Sequence, residues 1–352
     1  MLDLPTPCLV VDRDVLAANL AAMAQRARDL GVALRPHAKT HKSVDVAHLQ
    51  LAAGASGLTV ATVGEAEVFA AAGCTDLFVA YPLWVDPGKG ARLRALREHA
   101  EVSVGVESVE AARTLAAQVP DCAVLVEVDS GHRRSGVAPQ DAGALADAAT
   151  HAGLDVRGVF TFPGHSYAPG VAGDVAVQEH EALTTAANSL QQHGIEPRVV
   201  SGGSTPSVAA TRSGVLTELR PGVYVFGDAQ QWELGSCSAE EIALTCLATV
   251  VSHAGGRVVL DAGSKALGAD RAAWATGPGR VLDHPDAVVA FLSEHHAVVE
   301  WPGHTPLPEL GSVVRVVPSH VCNAVNLADE LLVVSEGRLV DRWPVSARGA
   351  NR

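Results

Sequence analysis

Two short runs, far apart in the chain, hold the side chains best suited to chemistry. The first is Arg35-Pro36-His37-Ala38-Lys39-Thr40-His41-Lys42, which sets a lysine among basic and hydrogen-bonding groups at the end of an apolar segment. The second is Ser319-His320-Val321-Cys322, with a nitrogen and a sulfur ligand two positions apart. Neighbouring positive charge depresses an ammonium pKa and favours the nucleophilic amine, so Lys39 suits Schiff-base formation. Strand alternation predicts that Arg35, His37 and Lys39 share one face, with Pro36 and Ala38 on the other. Two-residue spacing on an extended strand likewise aims His320 and Cys322 to one side, where they suit a soft divalent metal. A structural zinc site normally closes with four ligands, whereas an incomplete set leaves positions for water and substrate. His295-His296 is a competing metal candidate, but adjacent strand residues point to opposite faces. A solvated lysine and a buried thiol beside an imidazole are the plain alternatives.

Other runs could hold an anion or a ring. Ser201-Gly202-Gly203-Ser204-Thr205-Pro206-Ser207 would bring backbone N–H groups and hydroxyls close to an anion. Arg220-Pro221-Gly222-Val223-Tyr224 lies at the following strand, and the two loops together match the phosphate site of late barrel strands. Glu127-Val128-Asp129-Ser130-Gly131-His132-Arg133-Arg134 offers an arginine to a bound ring. Phe162-Pro163-Gly164-His165-Ser166-Tyr167 offers an imidazole and a phenol. Each of these runs is also compatible with an ordinary surface loop.

The elements that must position these groups alternate. Apolar runs at 33–36, 57–62, 77–81, 101–106, 123–129, 156–162, 198–201 and 222–226 predict strands. Amphipathic stretches at 15–30, 64–72, 91–99, 109–119, 141–152 and 178–193 predict helices between them. Eight strands alternating with helices imply parallel pairing and an α/β fold, a TIM-type (β/α)8 barrel, with a doubly wound sheet as the alternative. Beyond about residue 235 the runs 242–251, 257–260, 287–292, 297–301, 312–317 and 331–334 read as β, punctuated by Gly and Pro turns. The expected division is a barrel over 12–232 and a C-terminal β-rich domain over 233–352 that also takes the opening strand in 1–11.

Bulk properties narrow the function. The 352 residues carry a formal net charge of -13, with no clustered Lys and Arg, which argues against a nucleic-acid partner. No stretch approaches the roughly 20 apolar residues of a membrane span. Met1-Leu2-Asp3-Leu4-Pro5-Thr6-Pro7 has no basic leader before an apolar core, so no secretory signal is expected. The six scattered cysteines read as thiols of a reducing, cytoplasmic compartment.

The run from Pro36 to Lys42, Thr62-Val63-Gly64-Glu65-Ala66, Gly164-His165-Ser166-Tyr167, Pro221-Gly222-Val223-Tyr224-Val225-Phe226 and His320-Val321-Cys322 carry a recognisable pattern. In the same order along nearly the whole chain, they resemble the D-serine dehydratase/D-threonine aldolase family of alanine-racemase-like pyridoxal-phosphate enzymes. The resemblance implies a barrel holding pyridoxal 5'-phosphate, a C-terminal β domain and a homodimer. It implies that Lys39 carries the coenzyme, that Ser204, Thr205, Gly222, Val223 and Tyr224 hold its phosphate, and that Arg134 meets its ring. Arg220 takes the place of the arginine that faces the pyridine nitrogen in alanine racemase. His37, His165 and Tyr167 complete the expected site. His320 and Cys322 match the metal ligands of the dehydratases, whereas the aldolases place a carboxylate two residues after the histidine. The implied activity is loss of water and ammonia from a D-3-hydroxy amino acid, with zinc favoured over manganese by the thiolate. The alternative is a metal-dependent D-threonine aldolase, and below it stand a racemase and a non-catalytic coenzyme carrier. Tyr81, Tyr167 and Tyr224 all lie in the barrel half, which weighs against a racemase with a tyrosine in its second domain.

Overall fold

The computed structural model describes residues 4–352, so the first three residues of the leader reading lie outside it. The chain divides into two compact units. One comprises residues 23–39, 46–222 and 350–352; the other comprises the N-terminal residues to Ala22, Thr40–Asp45 and Val223–Gly349.

The first unit is built on eight parallel strands: Ala33–Leu34, Leu58–Val60, Asp76–Val79, Glu101–Val106, Ala123–Glu127, Asp155–Phe160, Val199–Gly202 and Glu218–Leu219. From the second strand to the eighth each pairs with the next in sequence, and the eighth pairs with the first. A single parallel bridge between His37 and Thr59 joins the first two strands and closes the ring. Buried on both faces, these strands read as continuous apolar runs, which is why most were visible in the sequence. Helices Val63–Ala71, Pro87–Arg97, Val109–Gln118, Ala142–His151 and Ala172–Gln192 follow strands two to six. Ser108 and Asp86 cap two of them by accepting the N–H of Ala111 and Lys89.

The structure corrects three local expectations. The eighth strand is Glu218–Leu219, and residues 223–225 form a 3-10 turn where a strand was expected. After Arg220 N donates to Gly202 O, Pro221 has no N–H with which to continue the ladder. A helix, Val44–Ala52, follows the basic run directly, with Val46, Ala47 and Gln50 buried. The first strand ends by ladder pairing at Leu34, and Lys39 sits in a 3-10 turn, Ala38–Thr40. Arg35 therefore does not extend a row of inward polar groups to Lys39. Its guanidinium is held by Asp76 at 2.7 Å and Glu218 at 2.6 Å.

The second unit contains a nine-stranded, mainly antiparallel sheet. Val258–Leu260, Ala297–Glu300, His284–Leu292, Gly279–Val281, Val313–Pro318 and Leu244–Ser252 follow one another, and the last pairs back with the first to close a small barrel. Cys8–Asp12 joins this sheet, antiparallel to Leu244–Ser252 and parallel to Glu330–Ser335. Among the described residues no helix is long and apolar enough to cross a membrane.

Candidate active site

The C-terminal ends of the barrel strands surround a cavity of about 390 Å³ whose lining includes His37, Lys39, Glu107, Arg134, Phe162 and Arg220. Barrel geometry explains the convergence, because each strand releases its loop on the same face. Lys39 leaves the first strand in its 3-10 turn, and its backbone N–H points at His37 Nδ1 at 3.4 Å. Its Nζ lies 5.4 Å from the centre of the Phe162 ring, and Arg134 Cζ lies 5.2 Å from the same ring. One aromatic side chain thus carries two cations at the cavity wall.

Arg220 is buried. It donates from Nε to Ser201 Oγ at 2.7 Å and from Nη2 to the carbonyl of Thr161. Its Cζ lies 5.2 Å from the ring centre of Phe160 and 5.6 Å from that of Phe78. Burial brings its pKa down to about 10, against the opposing pull of Glu218, Glu179 and Glu127. Glu127 ends the fifth strand, and burial raises its carboxyl above the usual range. Its Oε1 accepts from Ser135 Oγ at 2.7 Å, Arg134 approaches to 3.9 Å, and its buried Oε2 has no hydrogen-bond partner among the described residues.

His165 and Tyr167 lie on the turn after the sixth strand. His165 Nε2 meets Gln178 Oε1 at 2.9 Å, while its buried Nδ1 has no hydrogen-bond partner among the described residues. The His132 ring stacks on it at 6.4 Å, and the Tyr167 ring lies 6.1 Å from Phe162. Next to His165, Ser166 Oγ meets Ser204 Oγ at 2.8 Å. Ser204 and Thr205 are both buried, on the turn after the seventh strand. Arg26 braces the far end of that turn through the carbonyls of Val208, Ala209 and Thr211. Gly222, Val223 and Tyr224 continue directly from Arg220 and are buried.

His320 and Cys322 do not lie on a strand. The strand ends at Pro318, and His320 precedes the helix Val321–Leu327 as its N-cap. The two side chains still hydrogen-bond to each other, and His320 is pushed up to about 9, first by Cys322. Cys322 Sγ also bonds Thr40 Oγ1 at 3.3 Å, and Thr40 is the residue after Lys39. Asp228 is fully buried, accepts the N–H of Val321 at 3.2 Å, and faces His320 Nδ1 at 3.5 Å. Among the described residues no group of three or more His, Cys, Asp or Glu could hold a metal ion.

These residues fit a pyridoxal phosphate group by their donor chemistry. A lysine, two arginines and an aromatic ring face one cavity, and glycine permits the turn that leads to Ser204: at Gly203 φ is +83°, and a Cβ would come within 2.6 Å of Leu219 Cδ2. The imidazole and thiol fit a soft metal with open positions, by the same test. Reading the sequence overlooked Glu179 and Asp228. Glu179 falls in the buried register Val175, Ala176, Leu183, where a carboxylate is out of place, and Asp228 precedes a short helix as its cap. Both signals are present in the residue pattern.

Residues 11–230 match the family model described as the alanine racemase N-terminal domain, and residues 243–334 match one described as a serine dehydratase domain. The chain is 38% identical to D-threo-3-hydroxyaspartate dehydratase of Delftia sp. (strain HT23), over 92% of this chain and 92% of the relative. It is 37% identical to D-threonine aldolase of Arthrobacter sp, over 99% of this chain and 93% of that one. A solved structure of a D-threo-3-hydroxyaspartate dehydratase, described as a Cys-to-Ala variant in the metal-free form, superposes with a TM-score of 0.89 at 34% identity, over 97% of each chain.

Proposed function

From the premise that the chain belongs to the alanine racemase-like family, in the branch that carries a C-terminal serine dehydratase domain, we propose that it is a pyridoxal-phosphate- and zinc-dependent lyase. The reaction removes water and ammonia from a D-3-hydroxy amino acid and leaves a 2-oxo acid. The observation that carries the reading is the barrel cavity in which Lys39, Arg134 and Arg220 converge.

Lys39 Nζ would hold the coenzyme and, as a free amine, would take the Cα proton of the substrate. When bound, the coenzyme ring spreads the negative charge left at Cα and the metal polarises the C3 hydroxyl. Arg134 and Arg220 orient the ring, with His37 beside the lysine. Ser204, Thr205, Gly222, Val223 and Tyr224 hold the phosphate through hydroxyls and backbone N–H groups. His165 and Tyr167 are the groups assigned to proton exchange with substrate. His320 and Cys322 bind the metal, and the sulfur favours zinc and the dehydratase outcome. The enzyme is assigned to the cytoplasm as a homodimer; light scattering of the purified protein measures its mass and so checks the dimer.

The second reading, a D-threonine aldolase, stands on the similarity to the Arthrobacter relative. One screen decides between them. Purified protein is given D-serine, D-threonine and D-threo-3-hydroxyaspartate, with zinc and with manganese, and ammonia is scored against aldehyde. Ammonia with a 2-oxo acid supports the dehydratase; glycine and an aldehyde without ammonia replace it with the aldolase.

A further inference from the structure

We propose that Glu179 is a positioning residue for the coenzyme phosphate: its carboxylate fixes the glycine turn from which Ser204 and Thr205 present their donors. The inference rests on the coenzyme reading above and extends it to a residue outside the cavity lining.

Glu179 lies on the helix Ala172–Gln192 and is 1% exposed. A carboxylate so placed is retained only where its charge is met, since burial penalises the ionised form. Two partners meet it. Its Oε1 accepts the Gly203 N–H at 2.6 Å, the short distance of a charge-assisted bond. The Arg220 guanidinium acts on it electrostatically, so burial pushes its carboxyl only up to about 7.

The turn that it holds has little freedom to be built otherwise. Gly203 adopts φ +83°, and a Cβ there would press on Leu219, while a Cβ on Gly202 would collide with Glu179 Oε1. Paired glycines let the backbone pass between the carboxylate and the eighth strand. From that fixed point the chain enters Ser204, whose Oγ meets Ser166 and Ser207 at 2.8 Å each. Gly202 O accepts Arg220 N at 2.8 Å, so the same turn also registers the ring arginine. One carboxylate thereby sets the direction of the phosphate loop and interacts electrostatically with Arg220.

The test compares pyridoxal phosphate with pyridoxal, which lacks the phosphate, on the full chain. Dissociation constants are measured by absorbance titration, and the bound phosphate is followed by phosphorus NMR. Glu179→Gln keeps an oxygen for the Gly203 N–H and should hold the wild-type preference for the phosphorylated ligand. Glu179→Leu removes the acceptor and should lose roughly 10- to 100-fold of that preference, with a shifted phosphorus resonance. Should Glu179→Leu fail to fold, Glu179→Asp retains the charge one methylene short of Gly203, and the same loss is expected. Wild-type preference and resonance in the Leu or Asp variant overturn the inference, as does equal weakening toward both ligands. A wild-type chain that binds neither ligand overturns the coenzyme reading and this inference with it, which separates the two failures.

Discussion

Replacing Arg220 with methionine tests the electrostatic balance inside the barrel. The guanidinium sits among Glu218, Glu179 and Glu127, with Ser201 and the Thr161 carbonyl as hydrogen-bond partners. Methionine fills comparable space but leaves these carboxylates without the shared cation. Breaking a buried charged network by removing one member costs about 3–5 kcal/mol. The cost should depend on pH, and its sign follows from Glu179. Its carboxyl is raised from 4.5 to about 7 in the folded chain, so it is protonated below that value and carries its burial penalty above it. Loss of the Arg220 charge raises that carboxyl further. Below about pH 6 it is then protonated in both proteins and adds nothing to the difference. Between pH 7 and 9 the variant should lose up to about 1.4 kcal/mol of additional stability per pH unit, until its own raised pKa is passed. Loss of the Arg220 charge also raises the Glu127 carboxyl, which burial already lifts above the usual range. Calorimetric unfolding of both proteins at pH 6, 7.5 and 9 measures it. A difference that stays flat, or shrinks as pH rises, refutes the claim that Arg220 compensates these carboxylates.

Three further outcomes are expected. Lys39→Ala should lose the lysine-dependent visible absorbance of added pyridoxal phosphate while its circular dichroism stays that of the parent, and retention of the band would remove Lys39 from its role. Exhaustive chelation should abolish ammonia release but leave the coenzyme band, with zinc restoring turnover; activity unaffected by chelation reduces His320 and Cys322 to a structural pair. Gly158→Ala places a Cβ against the Val199 carbonyl oxygen at φ +150°, between the sixth and seventh strands, and should cost about 2–4 kcal/mol. An unchanged melting temperature would show that the ladder there can move aside.

Seven of the eight barrel strands were legible because parallel strands covered on both faces become apolar runs bounded by turn residues. The eighth escaped notice because Glu218–Leu219 is only two residues long, and the apolar run after it begins behind Pro221. The helix Val44–Ala52 was hidden by the basic run that it follows, although Ser43 and Asp45 are ordinary start signals. The site divides along similar lines. Lys39, Arg134, His165, Ser204 and Arg220 each follow a strand, so their grouping at one end of the barrel follows from strand order alone.

Residue types and order along the chain therefore determined which groups meet at the mouth of the barrel, since chain direction in a parallel sheet sends every loop to one face. Spacing could not determine how His320 and Cys322 come together, because two-residue separation serves a strand and a helix start equally well. Asp228, 93 positions earlier, accepts the Val321 N–H and stands at the start of that helix. Nor could it show that Arg35 pairs with Asp76 and Glu218, or that Glu179 anchors Gly203. A buried charge is stable only beside its partner, and those partners are brought together by strands and helices whose register exists only in the folded chain.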